Sequence, residues 1–240
     1  GLADPDAIES IGDVYGEVNT DRLEEIAPDI VVTSSYEEGE PWGIDGDLVD
    51  EVERAAPIVT ITIPDKDLRG MADRIAELAA TLGVDLDGPE ATEVIDELDR
   101  AEEGLRDALA AKPDLTFIAM SGSPDLMYVA VPSGFADLTT YQDLGMDLVV
   151  PDTDEEFWQD LSWEQADTYT ADVILGDARG GSVEQILDFI PDSLHSLPAI
   201  EAGQLARWEV VLAPGYANLA RVLDDLTAVV EDADPDVVEG

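Results

Sequence analysis

Short strands and helices alternate on both sides of one long periodic segment. That order predicts an α/β protein of two α/β lobes joined by a single long helix. Two further observations fit. With 240 residues, 45% of them hydrophobic, the chain can bury a sizeable core as one large domain or two lobes. Its apolar runs are short, and none approaches the ~18 consecutive residues of a membrane-spanning helix.

The elements follow in order. Residues 19–27 read as a short helix with Leu23 and Ile26 on one side and an Asn or Thr cap, stopped by Pro28-Asp29. Ile30-Val31-Val32 is a buried strand closed by Thr33-Ser34-Ser35, and residues 47–55 form a helix that Pro57 ends. A strand covers 58–63. The segment 65–82 is amphipathic, with Leu68, Met71, Ile75, Leu78 and Leu82 at steps of three and four, and Gly83 stops it. Residues 89–111 carry the longest stripe: Val94, Leu98, Ala101, Leu105 and Leu109. About 22 residues at 1.5 Å each make a rod of roughly 33 Å. Beyond Lys112-Pro113-Asp114 come strands at 115–120 and 127–131, a helix at 135–144 and a strand at 146–150. Then follow a short helix at 163–169, a buried strand at 171–175, short turns or helices at 182–188 and 194–202, a strand at 205–212 and a closing helix at 216–231. The expected organisation is a first lobe at 1–88, a connecting helix at 89–111 and a second lobe at 112–240.

Charge excludes whole classes of function. Against 57 Asp and Glu stand 11 Lys and Arg, a formal charge of −46. Such a chain repels a phosphate backbone, so nucleic acid is not a partner. The acids are spread along the chain rather than gathered in a tail, and lysine occurs only at Lys66 and Lys112. This reads as a hypercharged, solvated surface of a halophilic kind, with an ordinary acidic exported protein as the alternative. Molar salt screens its self-repulsion, because the Debye length falls to ~3 Å. With no cysteine there are no disulfides, zinc ribbons or thiol chemistry. The opening stretch 1–16 has neither a charged n-region nor an apolar h-region, so no signal peptide is expected within it.

Enzyme signatures are scarce. The sequence has no Walker loop, dinucleotide fingerprint or metalloprotease helix. Ser121-Gly122-Ser123 lacks the Gly-x-Ser-x-Gly frame of a nucleophile elbow. The one histidine, His195, sits in a segment that reads as a short surface helix, and its expected role is structural. One His and no Cys do not make a transition-metal site. Asp45-Gly46-Asp47 with Asp50 lacks the full calcium-loop pattern and reads as an acidic helix start. No metal and no cofactor are expected.

What remains are aromatic residues after strands or in Gly/Pro-rich connections: Tyr15, Tyr36, Trp42, Tyr128, Trp158, Trp208 and Tyr216. Aromatics held in loops between lobes suit a bulky, partly apolar ligand, and each is equally suited to covering a core edge. Arg179 follows the strand Val173-Ile174-Leu175 in Gly176-Asp177-Ala178-Arg179-Gly180-Gly181. There its guanidinium donates to ligand oxygens or closes a local salt bridge to Asp177 or Asp172.

Several blocks together resemble the iron-siderophore and cobalamin solute-binding proteins of ABC importers. They are Asn19-x-Asp21-Arg22-Leu23 through Pro28-Asp29 with Ile30-Val31-Val32, and Ala56-Pro57-Ile58-Val59. In the second half they are Phe157-Trp158 through Leu161-Ser162-Trp163-Glu164-Gln165-Ala166, Tyr169-x-Ala171-Asp172 with Asp177-x-Arg179, and Leu197-Pro198-Ala199 through Ala202-Gly203-Gln204 with Trp208. The blocks run in order from Ile11 to about Val230, and the branch they most resemble is the ferric hydroxamate binders. The resemblance implies a class III periplasmic-binding-protein-like fold with an aromatic, arginine-bearing cleft. It places Trp158 where related proteins have a cleft tryptophan and Tyr36 near a cleft tyrosine, whereas Tyr15 stands about where some members use arginine. Glu164, with Glu37 or Glu38 in the first lobe, corresponds to the acids that dock on permease arginines. Members normally open with a strand, helix and strand ahead of Ile11. Here the first lobe reads as truncated: a shortened piece, a reduced lobe, or one completed by another chain.

The function so implied is an extracytoplasmic, non-enzymatic binding protein. It captures a ferric siderophore, with iron held by the siderophore, and delivers it to an ABC permease. The resemblance also implies a lipid anchor upstream as the membrane tether. Cobalamin or haem in the same fold is the alternative cargo. An α/β enzyme of chelatase-like or hydrolase type is the alternative of another class. The charge itself generates a prediction: the thermal midpoint rises steeply from ~0.1 M to ~2 M NaCl. A midpoint independent of salt in calorimetry contradicts salt adaptation.

Overall fold

The computed structural model describes residues 8–12, 14–35, 40–62, 67–210 and 215–238. Tyr36, Glu37 and Glu38 fall outside the described residues. The chain divides into two compact units, Gly1–Asp65 with Arg69–Val84 and Lys66–Leu68 with Asp85–Gly240.

Among the described residues the first unit is built on a two-stranded parallel sheet. Helix α1 (Thr20–Ile26) starts where the Asn19 side chain accepts from the backbone N–H of Arg22, the expected cap. Strand β1 (Val31–Ser35) runs to Ser35, so the Thr-Ser-Ser segment read as its end belongs to it. Helix α2 (Gly46–Ala55) returns the chain to β2 (Ile58–Thr62), which pairs with β1 in register Val31↔Ile58 to Ser35↔Thr62. Leu23 of α1 and Val52 of α2 are buried in this unit. Helix α3 (Leu68–Thr81) ends at Gly83, whose φ of 101° lets the Val84 N–H return to the Ala79 carbonyl at 3.0 Å.

The second unit rests on two long helices. Helix α4 (Pro89–Ala111) has Pro at its first turn, as the periodicity predicts, and buries Leu98, Ala101, Leu105 and Leu109. It lies along the closing helix α8 (Tyr216–Asp232), which buries Leu219, Val222, Leu223, Leu226 and Val230. One of the two lysines finishes this pair. Lys112 Nζ donates to the carbonyls of Glu231 at 2.6 Å and Ala233 at 2.5 Å, placing a cation at the negative end of α8.

Among the described residues the sheet of this unit has six strands: β3 (Thr116–Gly122), β4 (Leu126–Ala130), β5 (Asp147–Leu148), β6 (Trp158–Ser162), β7 (Val173–Asp177) and β8 (Leu205–Trp208). Their order is β6-β4-β3-β7-β8, with β5 beside the start of β3. β3, β7 and β8 are parallel, so their carboxyl ends point the same way, while β4 and β6 run antiparallel. Helices α5 (Ala136–Asp143), α6 (Val183–Phe189) and α7 (Pro198–Glu201) fill the connections. Several expectations change, and among the described residues the strands expected at 146–150 and 205–212 shorten to β5 and β8. The helix expected at 163–169 is a single 3-10 turn over Trp163–Gln165, and β6, unforeseen in the sequence, precedes it. β7 runs on to Asp177, so Gly176 and Asp177 are strand residues rather than loop. At the other end of the sheet the buried Asp172 carboxylate accepts from the Thr116 N–H (2.9 Å), the Thr116 hydroxyl (2.7 Å) and the Val238 N–H (3.0 Å). The chain's tail is thereby tied to β3.

Trp208, read from the sequence as a ligand contact, belongs instead to the core, where it is 2% exposed. Its indole N–H donates to the carboxylate of Asp137 on α5, itself 5% exposed, and its ring meets Phe135 at 5.2 Å and Trp158 at 5.8 Å. Burial pushes the Asp137 carboxyl up to about 6 against the hydrogen bonds from Trp208 and from the backbone of Leu138 and Asp137, which lower it. Burial likewise pushes the neighbouring Tyr141 phenol well above its ordinary value, with the charges of Asp137 and Glu209 adding to the effect.

The native state therefore binds a proton at Asp137 more tightly than the unfolded chain does. The stability this contributes is full below about pH 4 and is lost as pH rises through about 6. Asp137→Asn keeps an acceptor for Trp208 and removes the titration. The difference in unfolding free energy, variant minus wild type, is expected to grow by roughly 3 kcal/mol between pH 4 and pH 7. Urea titrations across that range check it; a constant difference contradicts it.

Candidate ligand-binding site

A cavity of about 560 Å³ opens beyond the carboxyl ends of β3 and β7. Ligands of α/β sheets bind at such ends, and the volume suits a small-molecule site. The sheet register builds one wall. Ser121 of β3 stands opposite Tyr128 of β4, which stands opposite Asp160 of β6, and all three line the cavity. Two residues before Asp160, on the same face of β6, is Trp158.

Trp158 is held by other rings. It meets Phe135 edge-on at 4.9 Å and Tyr128 edge-on at 6.3 Å, with the buried Trp208 behind it. The Tyr128 hydroxyl donates to Ser123 Oγ at 3.2 Å. Trp163 forms the next part of the wall, and its indole N–H donates to the Ser123 carbonyl at 3.1 Å. This ring lies directly on β3: a Cβ at Gly122 would stand 2.8 Å from its Cη2. Glycine at 122 thus admits the indole. Phe189 and Ile186 of α6 bring apolar surface from the other side.

The polar end is the turn after β7. The Asp177 carboxylate accepts from the Ser121 hydroxyl (2.8 Å), the Arg179 N–H (2.9 Å) and the Arg179 guanidinium, with Nε at 3.0 and 2.9 Å and Nη2 at 2.5 Å. Burial alone would push the Asp177 carboxyl up. The hydrogen bonds from Arg179 and Ser121, with the guanidinium charge, outweigh it and hold the group below the usual carboxylate value. The hydrogen bond to Asp177 in turn raises Arg179. Of the two salt bridges the sequence left open, Arg179 makes the one to Asp177, since Asp172 is spent on Thr116 and Val238. The pairing leaves the Arg179 side chain 56% exposed and lining the cavity.

The structure thus brings together Tyr128, Trp158 and Arg179 of the residues singled out in the sequence. It does not bring Tyr216 to this cavity; that residue opens α8. In the first unit Tyr15 and Trp42, 69% and 45% exposed, meet edge-to-face at 5.7 Å beside a smaller hollow of about 280 Å³. Glu164 is exposed on the 3-10 turn after β6. His195 is exposed, with Nε2 at 3.0 Å from the Leu187 carbonyl. Trp163, Ser121 and Asp177 were missed as wall residues. Among the described residues no cluster of His, Asp and Glu could hold a metal ion.

No curated protein sequence matches the chain. A family model described as periplasmic binding protein matches residues 7–210. DesE, a ferric-siderophore receptor protein from Streptomyces coelicolor, is 31% identical, with a TM-score of 0.88 over 98% of this chain and 80% of that one. The siderophore periplasmic binding protein from the fuscachelin gene cluster of Thermobifida fusca is 25% identical, with a TM-score of 0.66 over 90% of this chain and 78% of that one. FhuD from Vibrio cholerae, solved with Fe3+-Desferal, is 16% identical, with a TM-score of 0.64 over 95% and 84%, a likeness of fold alone. The fold expected from the sequence is that of these proteins, and the chain belongs to the periplasmic binding protein family.

Proposed function

We propose that this chain is the extracytoplasmic binding component of an ABC importer and that its cargo is a ferric siderophore. The observation that carries the reading is the cavity at the ends of β3 and β7: an aromatic wall of Trp158, Trp163 and Tyr128 facing a half-exposed guanidinium. The likeness to ferric-siderophore and siderophore binding proteins supports that cargo. Aromatic faces cover the apolar spacers of a siderophore, and Arg179 donates to an oxygen of the chelate. Iron stays with the siderophore, and the chain binds without catalysis. Tyr15 and Trp42 are the proposed contacts of the first unit, and Glu164 is the proposed docking acid for the permease. A lipid anchor is the proposed tether. No described helix is long and apolar enough to cross a membrane.

Tryptophan fluorescence tests this in ~2 M salt, where the acidic surface is screened. Titration with ferrioxamine B, ferrichrome, a ferric tris-catecholate, cobalamin and haem is expected to give saturable quenching by a ferric siderophore. At 100 times its dissociation constant, that ligand adds about 2.7 kcal/mol to stability. Trp158→Ala is expected to weaken binding at least about tenfold with the fold retained. Response to cobalamin or haem alone, or silence from a folded protein across the panel, contradicts the reading.

A further inference from the structure

Among the described side chains that line the cavity there is one cation, Arg179, and there are two carboxylates, Asp177 and Asp160; the others are uncharged. The cation is already neutralised. Asp177, 6% exposed, receives three contacts from the guanidinium and a fourth from the Arg179 backbone. Swinging Arg179 away to meet an anionic ligand would strand the buried carboxylate with Ser121 as its remaining side-chain donor, a costly arrangement. Asp160 is exposed on the wall, so the described lining carries a formal balance of one negative charge. A chain of −46 adds a long-range field of the same sign.

We infer that Asp177 and Asp160 make this cavity selective for ferric chelates of zero or positive charge, such as ferric tris-hydroxamates, and against anionic ones, such as ferric tris-catecholates. This rests on the ferric-siderophore reading above. Three hydroxamates each carry a single negative charge and neutralise Fe(III), whereas three catecholates carry two each and leave a trianion. Arg179 then acts as a hydrogen-bond donor rather than a counter-charge. Its Nη1, which has no protein partner among the described residues, can donate to a hydroxamate carbonyl oxygen. Asp177 is thus the residue that sets specificity, although Arg179 is the one that reaches the ligand.

The test compares ferrioxamine B, a cationic tris-hydroxamate chelate, with ferric enterobactin, an anionic tris-catecholate, by calorimetric titration at one fixed salt concentration. Wild type is expected to favour the hydroxamate by about 100-fold or more. Asp177→Asn, which keeps an acceptor for Ser121 and frees the guanidinium charge, is expected to narrow that to about tenfold or less, mainly through tighter catecholate binding. Asp160→Asn, an exposed position that does not threaten folding, is expected to narrow it about threefold. A wild type that binds the catecholate as tightly as the hydroxamate overturns the charge selection and leaves the siderophore reading intact. So does a preference that both variants leave unchanged, because shape would then set it. Binding of neither chelate overturns the siderophore reading and this inference with it.

Discussion

The site depends on the knot tied around the Asp177 carboxylate. One acid at the end of β7 takes a hydroxyl from β3, a backbone N–H from the turn that follows and the guanidinium of Arg179. It joins the two central parallel strands at their carboxyl ends and turns the chain toward α6. It also fixes the cation at the cavity mouth. The partners are in reach because β3 and β7 pair from Phe117↔Val173 to Met120↔Gly176, which brings Ser121 and Asp177 to the same level. At the opposite end of the same strands, Asp172 does similar work for Thr116 and the tail. Buried carboxylates thus close both ends of the sheet's centre in a protein whose other acids are mostly solvated.

From that centre the aromatic wall follows by strand pairing. β4 and β6 extend the sheet beyond β3 and set Ser121, Tyr128 and Asp160 in one row. The stack of Phe135, Trp158 and Trp208 then fixes the indole that faces the cavity. Asp137 holds Trp208 at its indole N–H. A buried acid of raised pKa is a costly anchor, and a buried indole N–H without an acceptor would be costly too. Phe135, Tyr128 and Trp208 wedge Trp158, and a hydrogen bond to the Ser123 carbonyl pins Trp163, so little side-chain entropy remains to be lost when a ligand binds.

Much of this was legible in the sequence, and the misses have physical reasons. α4 and α8 declared themselves by apolar stripes at helical spacing, and both appear at the expected limits within a residue. Gly83 and Asn19 marked helix ends by backbone freedom and capping chemistry, which are local properties. β6 was hidden because its cavity face carries Trp158 and Asp160 while only Leu161 reaches the core, so the sequence lacks apolar alternation. Trp208 was misread because its partner, Asp137, lies 71 residues away, and nothing local to Trp208 reveals a buried acceptor. Trp163 was missed as a wall residue although Gly122 admits its ring, since that complementarity exists only after β3 and the turn beyond β6 are side by side. Arg179 was found because a strand followed by a Gly-rich turn is a local signal. Its neutralisation by Asp177 needed the geometry.

The most direct measurement is a crystal structure of the protein with ferrioxamine B, with anomalous data collected at the iron edge. One iron peak is expected over the mouth of the cavity formed by Trp158, Trp163 and Arg179, surrounded by chelate oxygens with no protein atom in the metal's coordination sphere. An iron peak elsewhere on the chain, or iron held by protein carboxylates or His195, would contradict the assignment of this cavity as the siderophore site.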